Sequence, residues 1–170
     1  FILCCLGMVI LLNHSAFSQK ITIEKSYPEA FLRAYDNYVN KNYAATFEQF
    51  SALVEQTPQD REELLQDIMF YRASSAYEMM NKDADALLCE FISLCPQSAH
   101  CNEAYFLLAN FYARGERYDQ AIEVYSKMNV AILNQDDKFE YYYKRGHCLF
   151  MLNRYDEALE EFDKVKDAKS

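Results

Sequence analysis

Few side chains in this 170-residue sequence are of types that carry chemistry. Three histidines occur, His14, His100 and His147. His100 and Cys101 follow Cys95 closely, and Cys89 stands upstream, so an imidazole and three thiols of zinc-ligand type share one stretch. Their spacing is that of a helix face and its following turn, without the tight pairs of a zinc site, and packing is the better reading. Cys89 and Cys95 on one helix stand about 9 Å apart along its axis, too far for a disulfide. Cys95 and Cys101 bracket a short turn between two antiparallel helices and form the candidate disulfide in an oxidising compartment. Cys148 lies beside Gly146, where a small buried residue is wanted, and reads as packing. The acid pairs Asp156-Glu157 and Glu160-Glu161 offer carboxylates for a cation or for hydrolysis, but on the outward face of a helix they read as solvated surface. The sequence has no glycine-rich phosphate loop, no His-x3-His pair and no nucleophile elbow. The expectation is a protein without catalytic residues, metal or cofactor.

Composition narrows the partners. The net charge of −9 argues against nucleic acid, whose phosphates demand a basic footprint. A content of 51% hydrophobic and 15% aromatic residues is ample for a packed core. Only 3 glycines and 3 prolines leave little punctuation for a many-stranded β fold, which favours an all-helical chain.

The elements that would position any site recur. From Tyr105 to Met128, the residues Tyr105, Leu108, Ala109 and Tyr112 mark one helix; Gly115 is placed to supply the conformation that stops it; Tyr118, Ala121 and Tyr125 mark a second. Small Ala109 and Ala121 let the two arms approach while the tyrosines fill the space beside them. A shift of 37 residues carries Tyr105 to Tyr142, Ala109 to Gly146, Tyr118 to Tyr155, Ala121 to Ala158 and Tyr125 to Phe162. Two places break the match: Leu108 meets Arg145, and Tyr112 meets Leu149. Upstream, Thr46, Phe50 and Pro58 precede Ala84, Leu88 and Pro96 by 38 residues. The second helices of four units therefore share one register, whereas the first helices of the first two units fit less well.

In chain order, residues 1–18 carry no Lys, Arg, Asp or Glu, and Phe1 to Leu12 form an apolar block of the length of a secretory signal core. Ala16-Phe17-Ser18 then supplies small residues where a signal peptidase reads, placing Gln19 at the mature N-terminus. The block is too short to span a bilayer comfortably. Residues 19–27 are a lead-in. Ser26-Tyr27-Pro28-Glu29 has the form of a capping box, and four units are expected at about 28–58, 61–96, 98–128 and 136–166. The connection from Met128 to Gln135 carries Val130, Ile132 and Leu133 and is expected to pack onto the array. Residues 167–170 read as the start of a further segment, since an array of this kind exposes an apolar end unless something caps it.

The pattern of Tyr105, Leu108, Ala109, Tyr112, Ala121 and Tyr125 resembles the tetratricopeptide repeat, with tyrosine for the usual tryptophan and alanine for the first glycine. With the signal and the period of 37 to 38 residues, the chain looks like the large tetratricopeptide proteins of bacterial cell envelopes. The resemblance implies an all-α, right-handed superhelical solenoid of about four helical hairpins. It also implies a non-enzymatic scaffold, periplasmic or associated with the outer membrane, that binds peptide segments or partner subunits through its concave face. In that family the first helices line the groove. The places that face a ligand fall here on Tyr71 and Ser75, Phe106 and Asn110, and Tyr143 and His147, with Arg114 as the nearby cation. Rings with few charges suit an extended apolar peptide, or the face of a sugar in the alternative of a carbohydrate or nutrient receptor.

Overall fold

The structure, a computed structural model, describes residues 27–167; the expected signal, nearly all of the lead-in and residues 168–170 lie outside the described residues. Among the described residues the chain is all-helical and builds four antiparallel hairpins. These are α1 (Glu29–Val39) with α2 (Tyr43–Gln56), α3 (Glu62–Glu78) with α4 (Ala84–Leu94), α5 (Cys101–Arg114) with α6 (Tyr118–Tyr125), and α7 (Gln135–Met151) with α8 (Tyr155–Asp167). Each second helix packs against the first helix of the next unit, and successive first helices also touch one another, α1 to α3, α3 to α5 and α5 to α7. The first helices thus share one side of a helical-hairpin solenoid. No helix among the described residues is long and apolar enough to cross a membrane.

The four turns inside the hairpins are copies of one another. Lys41, Met80, Glu116 and Asn153 all have left-handed backbone, with φ between 56° and 60°. After each, the N–H of Asn42, Asn81, Arg117 or Arg154 donates to the carbonyl five residues back, on Asn37, Ala76, Tyr112 or Leu149. This is the Schellman closure, which satisfies carbonyls that the helix end leaves open. Gly115, expected to supply the special conformation, has φ −84°, and the left-handed residue is its neighbour Glu116. The first helix begins on Pro28 as N-cap, and Ser26 of the expected capping box lies outside the described residues.

Each hairpin buries one small residue at a recurring place on each of its arms. Ala34, Ala73 and Ala109 on the first helices, and Thr46, Ala84, Ala121 and Ala158 on the second, are buried. Gly146 takes the first-helix place in the last unit, where an added Cβ would come within 2.7 Å of the Phe162 ring. The connection after α6 makes one 3-10 turn over Val130–Ile132; Val130 and Leu133 pack on the core, and Ile132 stays exposed.

The mismatch of Leu108 with Arg145 has a structural answer. Leu108 and Val124 both lie in the main core, and 37 residues later those places hold Arg145 and Glu161. There Arg145 donates to Glu161 at 2.6 Å, Lys164 joins at 2.8 Å, and Glu161 is only 3% exposed. Glu161, expected on a solvated face, is therefore part of the interior, because an ion pair replaces an apolar pair in the same layer.

Removing one partner of a buried ion pair costs more than exchanging both for apolar groups. Arg145→Leu alone is expected to lower stability by about 3 kcal/mol, and Arg145→Leu with Glu161→Val to return within about 1 kcal/mol of the parent. Chemical denaturation of the three proteins checks the order. Left-handed backbone costs a residue with a Cβ more than glycine, so Met80→Gly and Glu116→Gly should each stabilise by about 0.5–1 kcal/mol, seen as a raised Tm.

Candidate functional site

The face made by the first helices carries side chains spaced four apart: Asp67, Tyr71 and Ser75 on α3, Asn102, Phe106 and Asn110 on α5, and Phe139, Tyr143 and His147 on α7. The period of the helix puts each set in one stripe. What surrounds each stripe differs from unit to unit.

At α3 the stripe is closed. The ring of Tyr71 lies 4.9–6.2 Å from those of Phe31, Tyr35, Tyr38, Phe50, Phe70 and His100, and burial pushes its hydroxyl pKa well up. Ser75 is fully buried and its hydroxyl donates to the Tyr71 carbonyl at 2.7 Å. Asn110 is buried too, its carbonyl oxygen accepting the Tyr125 hydroxyl at 2.7 Å. Ser75 and Asn110, expected to face a ligand, are thus corrected to interior positions whose polar atoms bond within the chain.

The stripe opens toward α7. Phe106 is half-buried, edge-on to Tyr125 at 6.1 Å, and the Lys144 ammonium sits 5.1 Å from its ring centroid. Tyr143 is 53% exposed, parallel to Phe139 at 6.3 Å and tilted against Phe162 at 6.2 Å. His147 is exposed, 6.4 Å from the Tyr118 ring. Arg114, the expected groove cation, lies over the Tyr77 ring at 4.5 Å. Of the expected wall, Phe106, Tyr143 and His147 remain accessible, with Lys144 next after Tyr143 in sequence and its ammonium over the Phe106 ring.

The candidate disulfide is not formed; Cys89, Cys95, Cys101 and Cys148 are free thiols. Cys95 is drawn into the main core at the end of α4, whereas Cys101 begins α5 outside it, and two successive turns through Ser98 separate them. Cys148 is buried, and desolvation pushes its thiol pKa up to about 11.

A polar chain at the head of the stripe escaped the sequence reading. Tyr27 donates its hydroxyl to Asp67, whose other oxygen meets His100 Nε2 at 3.1 Å, while His100 Nδ1 lies 4.0 Å from Glu103. His100 stacks on Phe70 at 4.2 Å. The signal was present: extending the stripe of Tyr71 and Ser75 one turn toward the helix start reaches Asp67.

Beside this chain is a cavity of about 500 Å³ between α5, the connection after α6 and the start of α7. Phe106, Leu107, Met128 and Leu133 give it apolar walls, and Glu103 and Asp137 stand at its edge. Two asparagines fix the connection: Asn102 accepts the Asn129 N–H at 2.7 Å, and Asn134 caps α7 by accepting the Asp137 N–H at 2.9 Å. Partial desolvation pushes the Glu103 carboxyl pKa up, His100 opposes that, and the charge of Asp137 adds to it.

Family models described as tetratricopeptide repeat match residues 97–129 and 139–167. A search of curated proteins finds no match. The matched stretches hold most of the third and fourth hairpins, the part of the chain in which the stripe is open.

The buried hydroxyls and thiols set an alkaline limit. The bond to Asp67 holds the Tyr27 proton and pushes its pKa up from 10.0 to about 12, and the Cys148 value rises from 9.0 to about 11. In each case folding favours the protonated form, so this stability is whole below the unfolded values and is lost as pH rises through the folded ones. The denaturant midpoint is expected to hold near pH 8 and to fall between about pH 9 and 12. Tyr27→Phe should lessen the upper part of that fall, to which the buried Tyr71 and Tyr125 hydroxyls also contribute.

Proposed function

The chain is a tetratricopeptide-repeat protein, and from that premise we propose that it is a non-enzymatic scaffold of the bacterial cell envelope, binding peptide segments or partner subunits along α5 and α7. Repeats of this kind generally mediate protein–protein interaction. The observation that carries the finer reading is Tyr143, an aromatic ring half open to solvent on the shared face of the first helices, with His147 one turn on and Phe106 on the neighbouring helix. Aromatics on a rigid helix face bring large contact area at low entropic cost, and such residues dominate binding energy. The envelope location rests on the uncharged apolar block from Phe1 to Leu12 and on Ala16-Phe17-Ser18.

A second reading, a carbohydrate receptor, draws on the same place, since Phe139 and Tyr143 lie within 2° of parallel and present a flat edge. Peptide and glycan arrays probed with the protein separate the two.

Tyr143→Ala is expected to weaken the captured peptide about tenfold or more, with stability changed by less than about 1 kcal/mol because the ring is exposed. Phe106→Ala, at a half-buried ring, should cost about 2–3 kcal/mol of stability. Unchanged peptide binding in folded Tyr143→Ala protein would overturn the groove. Protein exported by its host should begin at Gln19, read by N-terminal sequencing; residues 1–18 still attached would refute the location.

A further inference from the structure

We propose that the cavity between α5 and the start of α7 receives a lysine or arginine side chain of the bound partner segment, its stem on Phe106, Leu107, Met128 and Leu133 and its cation between Glu103 and Asp137. The inference rests on the peptide-scaffold reading and names the chemistry of the partner.

The walls set the first half of the requirement. Phe106 belongs to both the open stripe and the cavity, so a chain lying along the stripe passes the cavity mouth. About 500 Å³ falls in the range of sites that enclose a small ligand, and it admits one long side chain with its neighbouring backbone. A long aliphatic stem fits apolar walls while its charged tip stays at the edge.

The edge sets the second half. Glu103 and Asp137 repel one another there, and His100 opposes that at Glu103. His100 is 4.0 Å from Glu103 but is already engaged by Asp67 at 3.1 Å. Asp137 accepts from the neutral amide of Asn134 at 2.8 Å. The Lys144 ammonium is paired with Glu140 at 2.9 Å and lies over Phe106. An anionic side chain would meet two carboxylates, and a purely apolar one would desolvate them without a counter-charge. A cation on an apolar stem satisfies both surfaces, and the net charge of −9 steers basic segments toward the chain.

The test uses the full chain and a library of labelled ten-residue peptides with Lys, Arg, Glu, norleucine or Ala at a central position, read by fluorescence anisotropy at two salt concentrations. Lys and Arg peptides should bind best and lose affinity with salt. Glu103→Gln with Asp137→Asn should weaken them about tenfold while norleucine peptides change little. Glu103→Lys with Asp137→Lys should transfer the preference to Glu peptides. Tyr143→Ala should lower affinity for all peptides and keep the basic preference. Equal binding of basic and norleucine peptides overturns the proposal while the scaffold reading stands, and so does an unchanged preference in the folded Gln/Asn variant. Equal competition by free spermidine, with no dependence on the flanking peptide, also overturns it, in favour of a small-amine site. Absence of binding by every peptide overturns both readings together.

Discussion

The fold depends on how closely two helices can approach at four crossings. Each hairpin buries one small residue at a recurring place on each arm: Ala34 and Thr46, Ala73 and Ala84, Ala109 and Ala121, Gly146 and Ala158. Their lack of bulk lets large side chains one turn away, Phe50, Leu88, Tyr125 and Phe162, reach across the hairpin. The left-handed residues recur at intervals that match those of the small residues on the first helices, so each turn is locked to the crossing it serves. A hairpin that cannot close at its crossing has no face to offer the next unit. The whole array therefore rests on a constraint of volume, and the surplus of aromatic residues is what fills the layers that this constraint defines.

Within that frame the layers are interchangeable in chemistry but not in size. The pair Leu108 and Val124 occupies a layer that Arg145 and Glu161 fill one unit later. The ion pair keeps the layer occupied by long side chains and brings Lys164 to its edge. An apolar pair needs only contact, whereas the charged pair needs its geometry kept, since a lone buried carboxylate is costly. Polarity in the last hairpin is thus tied to precise placement against α8 of α7, the helix that carries the exposed Tyr143.

The period of 37 to 38 residues and the small residues made the all-helical hairpin array legible, because both are spelled in residue size. The site was less legible. Which rings point inward can be written from spacing, but whether a neighbour then covers them cannot. Tyr71 and Tyr143 each follow a bulky aromatic, yet the intervals from Ala73 to Gly146 and from Met80 to Asn153 set Tyr143 level with buried Phe70 and Tyr71 level with Lys144. Tyr71 is enclosed by six rings and Tyr143 stands open. Phe31, Tyr35 and Tyr38, three aromatics crowded on α1, supply half of the rings around Tyr71. The polar chain through Asp67 and His100 was missed for a related reason: its members come from three separate stretches, and no local spacing joins them. Gly115 misled in a simpler way. A glycine near a helix end invites the left-handed assignment, yet Schellman closure depends on register, and the register places Glu116 there.

One substitution separates the closed from the open part of the stripe. In the third unit Asn110 lies inside because the Tyr125 hydroxyl, itself buried, needs an acceptor and finds it 2.7 Å away. A shift of 37 residues replaces Tyr125 by Phe162 and Asn110 by His147. Phenylalanine has no hydroxyl to satisfy, so nothing holds the polar side chain of the stripe inward, and His147 stands exposed beside Tyr118. The same loss leaves the Phe162 ring as a plain apolar backing for Tyr143. A hydroxyl absent from the half-buried Phe162 ring thereby leaves a polar group at the surface one helix away. Openness of the face at α7 then follows from the interior of the last hairpin as well as from its exposed residues. Among the described residues the open rings lie on α5 and α7, and the proposed partner segment on them would run past the carboxylates of Glu103 and Asp137.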